Sequence, residues 1–209
     1  MFDTDGNQID AHGGGFLLDG GTYYWYGSAR LNHTDNGCTT LPRHPCDKGI
    51  NLYSSVDLYS WKFESLVVSP VLTSDNGLDL ERPKVVRCQP GRYVMWLRGT
   101  PIYNGTDLKV GILTANTPRG PWKWVVPDGQ PPADPFQLVG GKHQYGDATL
   151  WADDTQPGPQ RHYVYWRART TDVNGGFRAM QLDEQCTGVL PATDTRVSTV
   201  RAPSFSEDS

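Results

Sequence analysis

Short aromatic strands separated by tight turns recur along the chain. Residues 15–27 (GFLLDGGTYYWYG) predict a hairpin that turns at Asp19-Gly20-Gly21. Residues 85–97 repeat this pattern with a turn at Gln89-Pro90-Gly91, and residues 149–166 repeat it with a longer polar loop. The chain shows no three-turn stretch with the apolar periodicity of an amphipathic helix. The pattern therefore predicts an all-β protein.

A further strand or pair of strands follows each hairpin. The predicted strands are residues 50–55 and 61–64 after the first hairpin, 109–114 and 122–125 after the second, and 177–182 after the third. The repeating unit is thus four antiparallel strands. A repeat of this size is typical of a β-propeller. A β-sandwich is the alternative, because it also uses short strands at regular spacing.

The predicted units occupy approximately residues 10–75, 80–128 and 145–195, and residues 199–209 begin a fourth. Three units and a short remainder do not close a ring, since propellers generally need four to eight blades. We therefore expect an incomplete five-bladed β-propeller, in which this chain supplies about three blades and the start of the fourth. A fragment, a truncated gene product and one part of an assembly are all compatible with this expectation.

Composition narrows the class of protein. The chain has 209 residues with 23 glycines, 16 prolines, 7 tryptophans and 10 tyrosines, and its formal net charge is −4. The glycine and proline content is typical of many turns between aromatic strands. The acidic balance and scattered basic residues argue against nucleic acid or an anionic membrane as a partner.

The cysteines and two sequons favour an exported protein. Cys38 and Cys46 bracket a loop without periodicity, and a short disulfide there is the preferred interpretation, with two packed reduced thiols as the alternative. Asn32-His-Thr34 and Asn104-Gly-Thr106 are N-glycosylation sequons in turn-rich segments. The chain opens with Met1-Phe-Asp-Thr-Asp-Gly6, which has neither the basic nor the apolar region of a signal peptide. Either the signal lies outside this chain or the protein is not secreted.

The starts of the repeating units carry the candidate chemistry. His12, Glu81, Asp147 and Arg201 follow one another at intervals of 69, 66 and 54 residues. In a propeller the innermost strands line a central channel, so that polar residues at their starts converge at one mouth. A pair of carboxyl groups in such a pit is what metal-free glycoside hydrolysis requires. Neither a cofactor nor a metal is expected.

These motifs resemble the family 43 glycoside hydrolases, in particular their exo-β-1,3-galactanase branch. The resemblance covers essentially the whole chain. It rests on residues 3–15 (DTDGNQIDAHGGG), 23–27 (YYWYG), 52–63 (LYSSVDLYSWKF), 81–85 (ERPKV), 93–96 (YVMW), 117–122 (TPRGPW) and 146–150 (GDATL). It implies a five-bladed propeller that removes galactose from the ends of β-1,3-galactan, the backbone of arabinogalactan side chains, with inversion.

The resemblance also implies roles for individual residues. Asp147 matches the aspartate that raises the pKa of the catalytic acid and orients it, and Glu81 matches a carboxylate at the −1 subsite. His12, followed by Gly13 and Gly14, stands where other members of the family place a general-base aspartate. In this branch that role is thought to fall to a glutamine from a later blade, which would lie beyond Ser209. Tyr103 matches a tyrosine that contacts substrate.

One position departs from the family pattern. The catalytic acid of the family is a glutamate in a Glu-Ala-Pro context, whereas this chain has Arg201-Ala202-Pro203. A guanidinium stays protonated near neutral pH and cannot act as a proton donor in turnover. The departure predicts an impaired or repurposed site at Arg201.

Alternatives to the enzyme hypothesis remain open at this stage. A non-catalytic galactan-binding propeller is one, and a glycosidase for arabinofuranosides or xylosides is another, disfavoured by the His12-Gly13-Gly14 sequence. Glu81 and its neighbour Arg82 also suit a structural ion pair. Trp25, Trp96 and Trp166 recur in the three hairpins and are predicted to be packing residues at equivalent positions.

Overall fold

The computed structural model describes residues 1–30, 49–69, 78–101, 109–126, 136–137, 139, 146–155, 158–168 and 176–197. Over these residues the chain forms three antiparallel β-sheets and one short 3-10 turn at Pro191–Thr193. The predicted all-β class is therefore confirmed. None of the helical structure in these ranges has the length and apolar character needed to cross a membrane.

Each sheet is built from strands in chain order, with every neighbouring pair antiparallel. Sheet 1 contains β1 (His12–Asp19), β2 (Thr22–Ser28), β3 (Ile50–Ser55) and β4 (Lys62–Val68). Sheet 2 contains β5 (Leu78–Gln89), β6 (Arg92–Pro101), β7 (Lys109–Ala115), β8 (Lys123–Trp124) and β9 (Phe136–Gln137), which pairs with β7. Sheet 3 contains β10 (Ala148–Asp153), β11 (Arg161–Ala168), β12 (Gly176–Gln181) and β13 (Thr195–Arg196).

The predicted hairpins form where the sequence places them. Gly20 and Gly21 turn the first hairpin with φ of 56° and 78°, and Gly91 turns the second with φ of 70°. The two-residue strands β9 and β13 are not predicted, because two residues show no alternation. β9 also lies beyond the expected end of the second unit. Residues 199–209, where the fourth unit was expected to begin, lie outside the described residues.

The three sheets stack face to face in chain order. One core cluster joins sheet 1 to sheet 2, with Tyr26 and Leu52 packed near Met95 and Leu97. A second cluster joins the opposite face of sheet 2 to sheet 3, with Trp96 among its members. Sheet 2 is therefore covered on both faces, which a sandwich of two sheets does not provide.

The three recurring tryptophans do not occupy equivalent positions. Trp96 and Trp166 are buried at 1% and 0% exposure, and both lie in the cluster between sheets 2 and 3. Trp25 packs instead with Trp61 on the face of sheet 1 that is turned away from sheet 2, at a centroid distance of 5.3 Å. The packing role is confirmed, but the predicted equivalence is wrong, because strand alternation turns Trp96 towards the following sheet and Trp166 towards the preceding one.

A disulfide between Cys88 and Cys186 ties sheet 2 to the loop that follows β12 in sheet 3. It joins residues 98 positions apart, with a Cα–Cα distance of 6.0 Å. This pair is not predicted from the sequence. The predicted pair, Cys38 and Cys46, lies outside the described residues.

Candidate functional site

Two β-bulges bring the predicted site residues to the start of the first strands. The pairing of β1 with β2 shifts between His12 and Gly15, and that of β5 with β6 shifts between Glu81 and Lys84. β1 and β5 lie against each other, so the two bulges are neighbours. A bulge redirects the side chains around it. Here the redirected side chains belong to two of the four residues that the sequence analysis singled out.

The backbone of both bulges needs unusual conformations. Gly13 has a φ of 59° and Arg82 a φ of 56°, in the left-handed region that most residues avoid. A Cβ atom added at Gly14 would lie 2.2 Å from the carbonyl oxygen of Tyr26 and 2.7 Å from Nε1 of Trp25. The glycine sequence after His12 is therefore required by close packing of the backbone.

Glu81 is the deep carboxylate of the site, at 7% exposure. Its Oε1 accepts from Nη2 of Arg30, and its Oε2 pairs with Nη2 of Arg98. Charge-assisted contacts to two guanidinium groups compensate for the burial of this carboxylate. The alternative ion pair between Glu81 and its neighbour Arg82 is not the one that forms.

Asp147 lies at the mouth of the same site, with 54% of its side chain exposed. Its Oδ1 is 2.6 Å from Nε of Arg82 and 3.6 Å from Nη1 of Arg98. Arg98 thus contacts both carboxylates, since its other terminal nitrogen reaches Glu81. Glu81 and Asp147 are held around one guanidinium although they begin different sheets.

His12 lies beside the same arginines. Partial burial lowers the pKa of its imidazole below the usual 6.5, and the positive charges of Arg30 and Arg82 lower it further, against a smaller opposite effect of Asp10. Asp10 accepts the backbone N–H of Arg30 at 2.7 Å and so fixes the end of β2. At neutral pH His12 is therefore uncharged and can both donate and accept a hydrogen bond.

Lys84 is a partly buried cation next to the glycine bulge. Its Nζ donates to the carbonyl oxygens of Gly13 at 3.0 Å and Gly14 at 2.6 Å. Burial lowers its pKa to about 8, the charge of Arg82 acts in the same direction, and Asp147 opposes both. Lys84 therefore still carries its charge at neutral pH.

The structure places part of the predicted site together. His12, Glu81 and Asp147 share the arginines at positions 30, 82 and 98. Arg201 and Tyr103 lie outside the described residues, so their predicted roles stay predictions.

Sequence reasoning missed Arg30, Lys84 and Arg98. Arg30 lies two residues after the end of β2, and Arg98 lies on β6. A charged residue that directly follows an apolar run, as in Met95-Trp-Leu-Arg98, is the signal that could have found Arg98.

Other polar features of the described residues do not belong to this site. A cavity of about 1010 Å³ lies at the other end of β5 and is lined by residues such as Arg87, His162 and Asp183. Near it, His162 and the sulfurs of Cys88 and Cys186 lie within 4.8 Å of one another. The two sulfurs form a disulfide, so they offer no thiolate to a metal.

Comparisons with known proteins connect the chain to galactan-degrading enzymes. An exo-β-1,3-galactanase from Phanerochaete chrysosporium, solved with β-1,3-galactotriose, superposes with a TM-score of 0.71 and 27% identity, covering 92% of this chain and 39% of that one. A family 43 β-1,3-galactosidase gives a TM-score of 0.72 and 26% identity, covering 94% and 37%. An exo-β-1,3-galactanase from Clostridium thermocellum, at 24% identity and a TM-score of 0.67, shares the fold.

The chain spans less than half the length of these three proteins. No protein-family model and no curated protein matches it. The family resemblance predicted from the sequence motifs is confirmed by these structural relatives.

Proposed function

From the relationship of this chain to the family 43 exo-β-1,3-galactanases and β-1,3-galactosidases, we propose that it belongs to a glycoside hydrolase that releases galactose from the end of β-1,3-galactan with inversion. The observation that carries the proposal is the convergence of Glu81 and Asp147 on the guanidinium of Arg98. Two carboxylates held this close suit a site that surrounds one sugar ring.

The two carboxylates are proposed to have different roles. Glu81 is deep and held by two arginines, so its oxygens suit acceptance of sugar hydroxyl groups at the −1 subsite. Asp147 is more exposed, and its negative charge would raise the pKa of a neighbouring acid and orient that acid towards the leaving oxygen. His12, Gly13 and Gly14, at the start of β1, would contact the sugar on one side of the site.

A non-catalytic galactan-binding protein is the second candidate function. Arginine stands at position 201, where the resemblance places the catalytic acid, and a guanidinium cannot donate a proton in turnover near neutral pH. Glu81 and Asp147 would then hold sugar hydroxyl groups without hydrolysis.

The architecture proposed for the complete ring is a five-bladed propeller in which the three sheets are successive blades. Support comes from the stacking of sheet 2 between its neighbours and from the exposed aromatic face of sheet 3, where Trp151 is 42% exposed and packs on Tyr163. In a ring such a face is covered by the next blade.

Export from the cell is also proposed. The disulfide between Cys88 and Cys186 supports it, because such bonds form and persist in oxidising compartments.

The test measures hydrolysis and binding separately. The protein expressed from its complete gene is incubated with β-1,3-galactotriose, galactose is quantified by chromatography, and binding is measured by calorimetry. Release of galactose, with the α-anomer appearing first in NMR spectra, supports the inverting hydrolase. Binding without release supports the galactan-binding protein, and neither binding nor release contradicts both. Xylo- and arabino-oligosaccharides test the neighbouring substrate classes.

Matched variants test the assigned residues. Glu81→Gln and Asp147→Asn remove one negative charge each from the site and are expected to weaken binding about tenfold or more. Glu184→Gln is the control, because this carboxylate is exposed in the loop after β12. Equal affinities of all three variants would contradict the proposed site.

A further inference from the structure

The ammonium group of Lys84 connects the two bulges, because Lys84 stands at the β5 bulge and its Nζ donates to carbonyl groups in the β1 bulge. Its hydrogen bonds to the carbonyl oxygens of Gly13 and Gly14 satisfy acceptors inside the β1 bulge, where the register of β1 with β2 is interrupted. Gly13 and Gly14 are partly buried, and backbone carbonyl groups shielded from water are generally paired. Lys84 therefore supplies hydrogen bonds that the strand ladder does not supply at this point.

Lys84 also connects both halves of the site. It lies on β5 three residues after Glu81, and the carbonyl groups it binds directly follow His12. Arg82 and Asp147 are the charged groups that act on it. Arg82 in turn contacts Asp147 and acts on the imidazole of His12. A displacement of Lys84 would therefore affect His12 through the β1 bulge, and would affect Arg82 and Asp147 through their charges.

We propose that Lys84 is a positioning residue, whose two hydrogen bonds to the Gly13 and Gly14 carbonyls hold the β1 bulge so that His12 faces the site formed by Glu81 and Asp147. As regards the ligand, this inference rests on the proposed function, because the sugar that His12 would face is a galactose residue. The positioning itself is a property of the free protein and is measured without sugar.

Removing the ammonium has a defined consequence. Lys84→Met keeps most of the apolar stem and loses every donor, so the two carbonyl groups, which are partly shielded from water, lose this partner. The bulge then relaxes, and the His12 ring moves away from Arg30 and Arg82. The pKa of His12, which is held below 6.5, rises towards that value. Affinity for β-1,3-galactotriose falls about tenfold.

The experiment compares three variants with the wild type by NMR titration of the His12 imidazole and by calorimetry with β-1,3-galactotriose. His12→Gln assigns the resonance. Lys84→Arg keeps the charge and the donors, and is expected to retain more of the affinity than Lys84→Met. Lys62→Met removes an exposed lysine from β4 and is expected to change neither readout. An unchanged His12 midpoint in Lys84→Met would overturn the proposal.

A measurement on the wild type keeps the test valid if Lys84→Met does not fold. In proton–nitrogen correlation spectra of lysine side chains, the hydrogen-bonded ammonium of Lys84 is expected to exchange with water far more slowly than that of Lys62. Equal exchange rates would overturn the proposal. If the wild type does not bind galactotriose but the His12 midpoint still shifts in Lys84→Met, the proposed function fails and the positioning role stands.

Discussion

Glu81 and Asp147 contact the two terminal nitrogens of one guanidinium, that of Arg98. The two carboxylates stand 66 positions apart in the chain and lie near the starts of neighbouring sheets. A guanidinium is planar and offers its donors in a fixed arrangement. The separation of the two carboxylates is therefore set by a side chain of β6 and does not depend only on how the sheets stack.

The first prediction concerns Arg98→Lys. An ammonium is a point charge that cannot serve two carboxylates in the same fixed arrangement. We expect the affinity for β-1,3-galactotriose to fall about tenfold and the free energy of unfolding to fall by about 1–3 kcal/mol. Calorimetry and urea denaturation provide the two measurements.

The control for this prediction is Arg178→Lys. Arg178 holds Asp194 at 2.6 Å within sheet 3 and belongs to none of the contacts of the site. Its replacement is expected to leave sugar affinity unchanged. A comparable loss of affinity in both variants would show that Arg98 has no special role in holding the carboxylates.

The second prediction concerns the disulfide between sheets 2 and 3. Cys88 and Cys186 close a loop of 98 positions. A cross-link of this length lowers the entropy of the unfolded chain, which stabilises the fold by about 4–5 kcal/mol in the chain-entropy treatment. The double variant Cys88→Ala/Cys186→Ala is expected to lose several kcal/mol in urea denaturation. If its midpoint in urea matches that of the wild type, the cross-link does not stabilise the fold.

The elements that could be predicted from the sequence are those with a local signal. The hairpin around Gly20 and Gly21 was predictable because alternating aromatic residues flank a glycine turn. β13 was not, because a two-residue strand is defined by its partner β12 and not by its own pattern. The same distinction explains why the positions of Trp96 and Trp166 were not predicted correctly. The face of the sheet to which each side chain points depends on the register of its strand.

The candidate site was predictable only in part for the same reason. Glu81 and Asp147 lie near the starts of sheets 2 and 3, so the repeating pattern of strands is enough to identify them as candidates. Arg30 and Arg98 enter the site from second strands, and the partner of each is fixed by tertiary packing. The pairing of Cys88 with Cys186 is likewise a contact between sheets, which no local pattern indicates.

The third prediction concerns Gly14→Ala. The added Cβ would meet the carbonyl oxygen of Tyr26 at 2.2 Å, so the backbone of β1 or β2 must shift. We expect a loss of about 1–3 kcal/mol in unfolding free energy, together with a changed His12 resonance. Gly20→Ala is the control. A Cβ atom added at Gly20 has no heavy atom within 4 Å, so the only cost is the left-handed backbone with a φ of 56°. This conformation costs an alanine about 1–2 kcal/mol. An unchanged His12 resonance in Gly14→Ala would contradict the claim that this glycine supports the site.

The fourth prediction concerns stability at alkaline pH. Lys84 has a pKa of about 8 in the folded protein, whereas an unfolded lysine titrates near 10.4. Between these values the unfolded chain binds more protons than the folded one, so the free energy of unfolding rises with pH. The rise amounts to at most about 3 kcal/mol. Burial raises the pKa of Tyr26, Tyr53 and Tyr93, which lowers stability above about pH 10.

The window for this measurement is therefore pH 7.5 to 9.5, where tyrosine contributes little. Urea denaturation of the wild type at both pH values is compared with that of Lys84→Met. Groups other than Lys84 titrate in both proteins and cancel in the difference, so the wild type should gain stability relative to the variant as the pH rises. Parallel pH dependences would mean that Lys84 keeps an ordinary pKa. The hydrogen bonds to the carbonyl groups of Gly13 and Gly14, which favour the charged ammonium, would then offset the effect of burial.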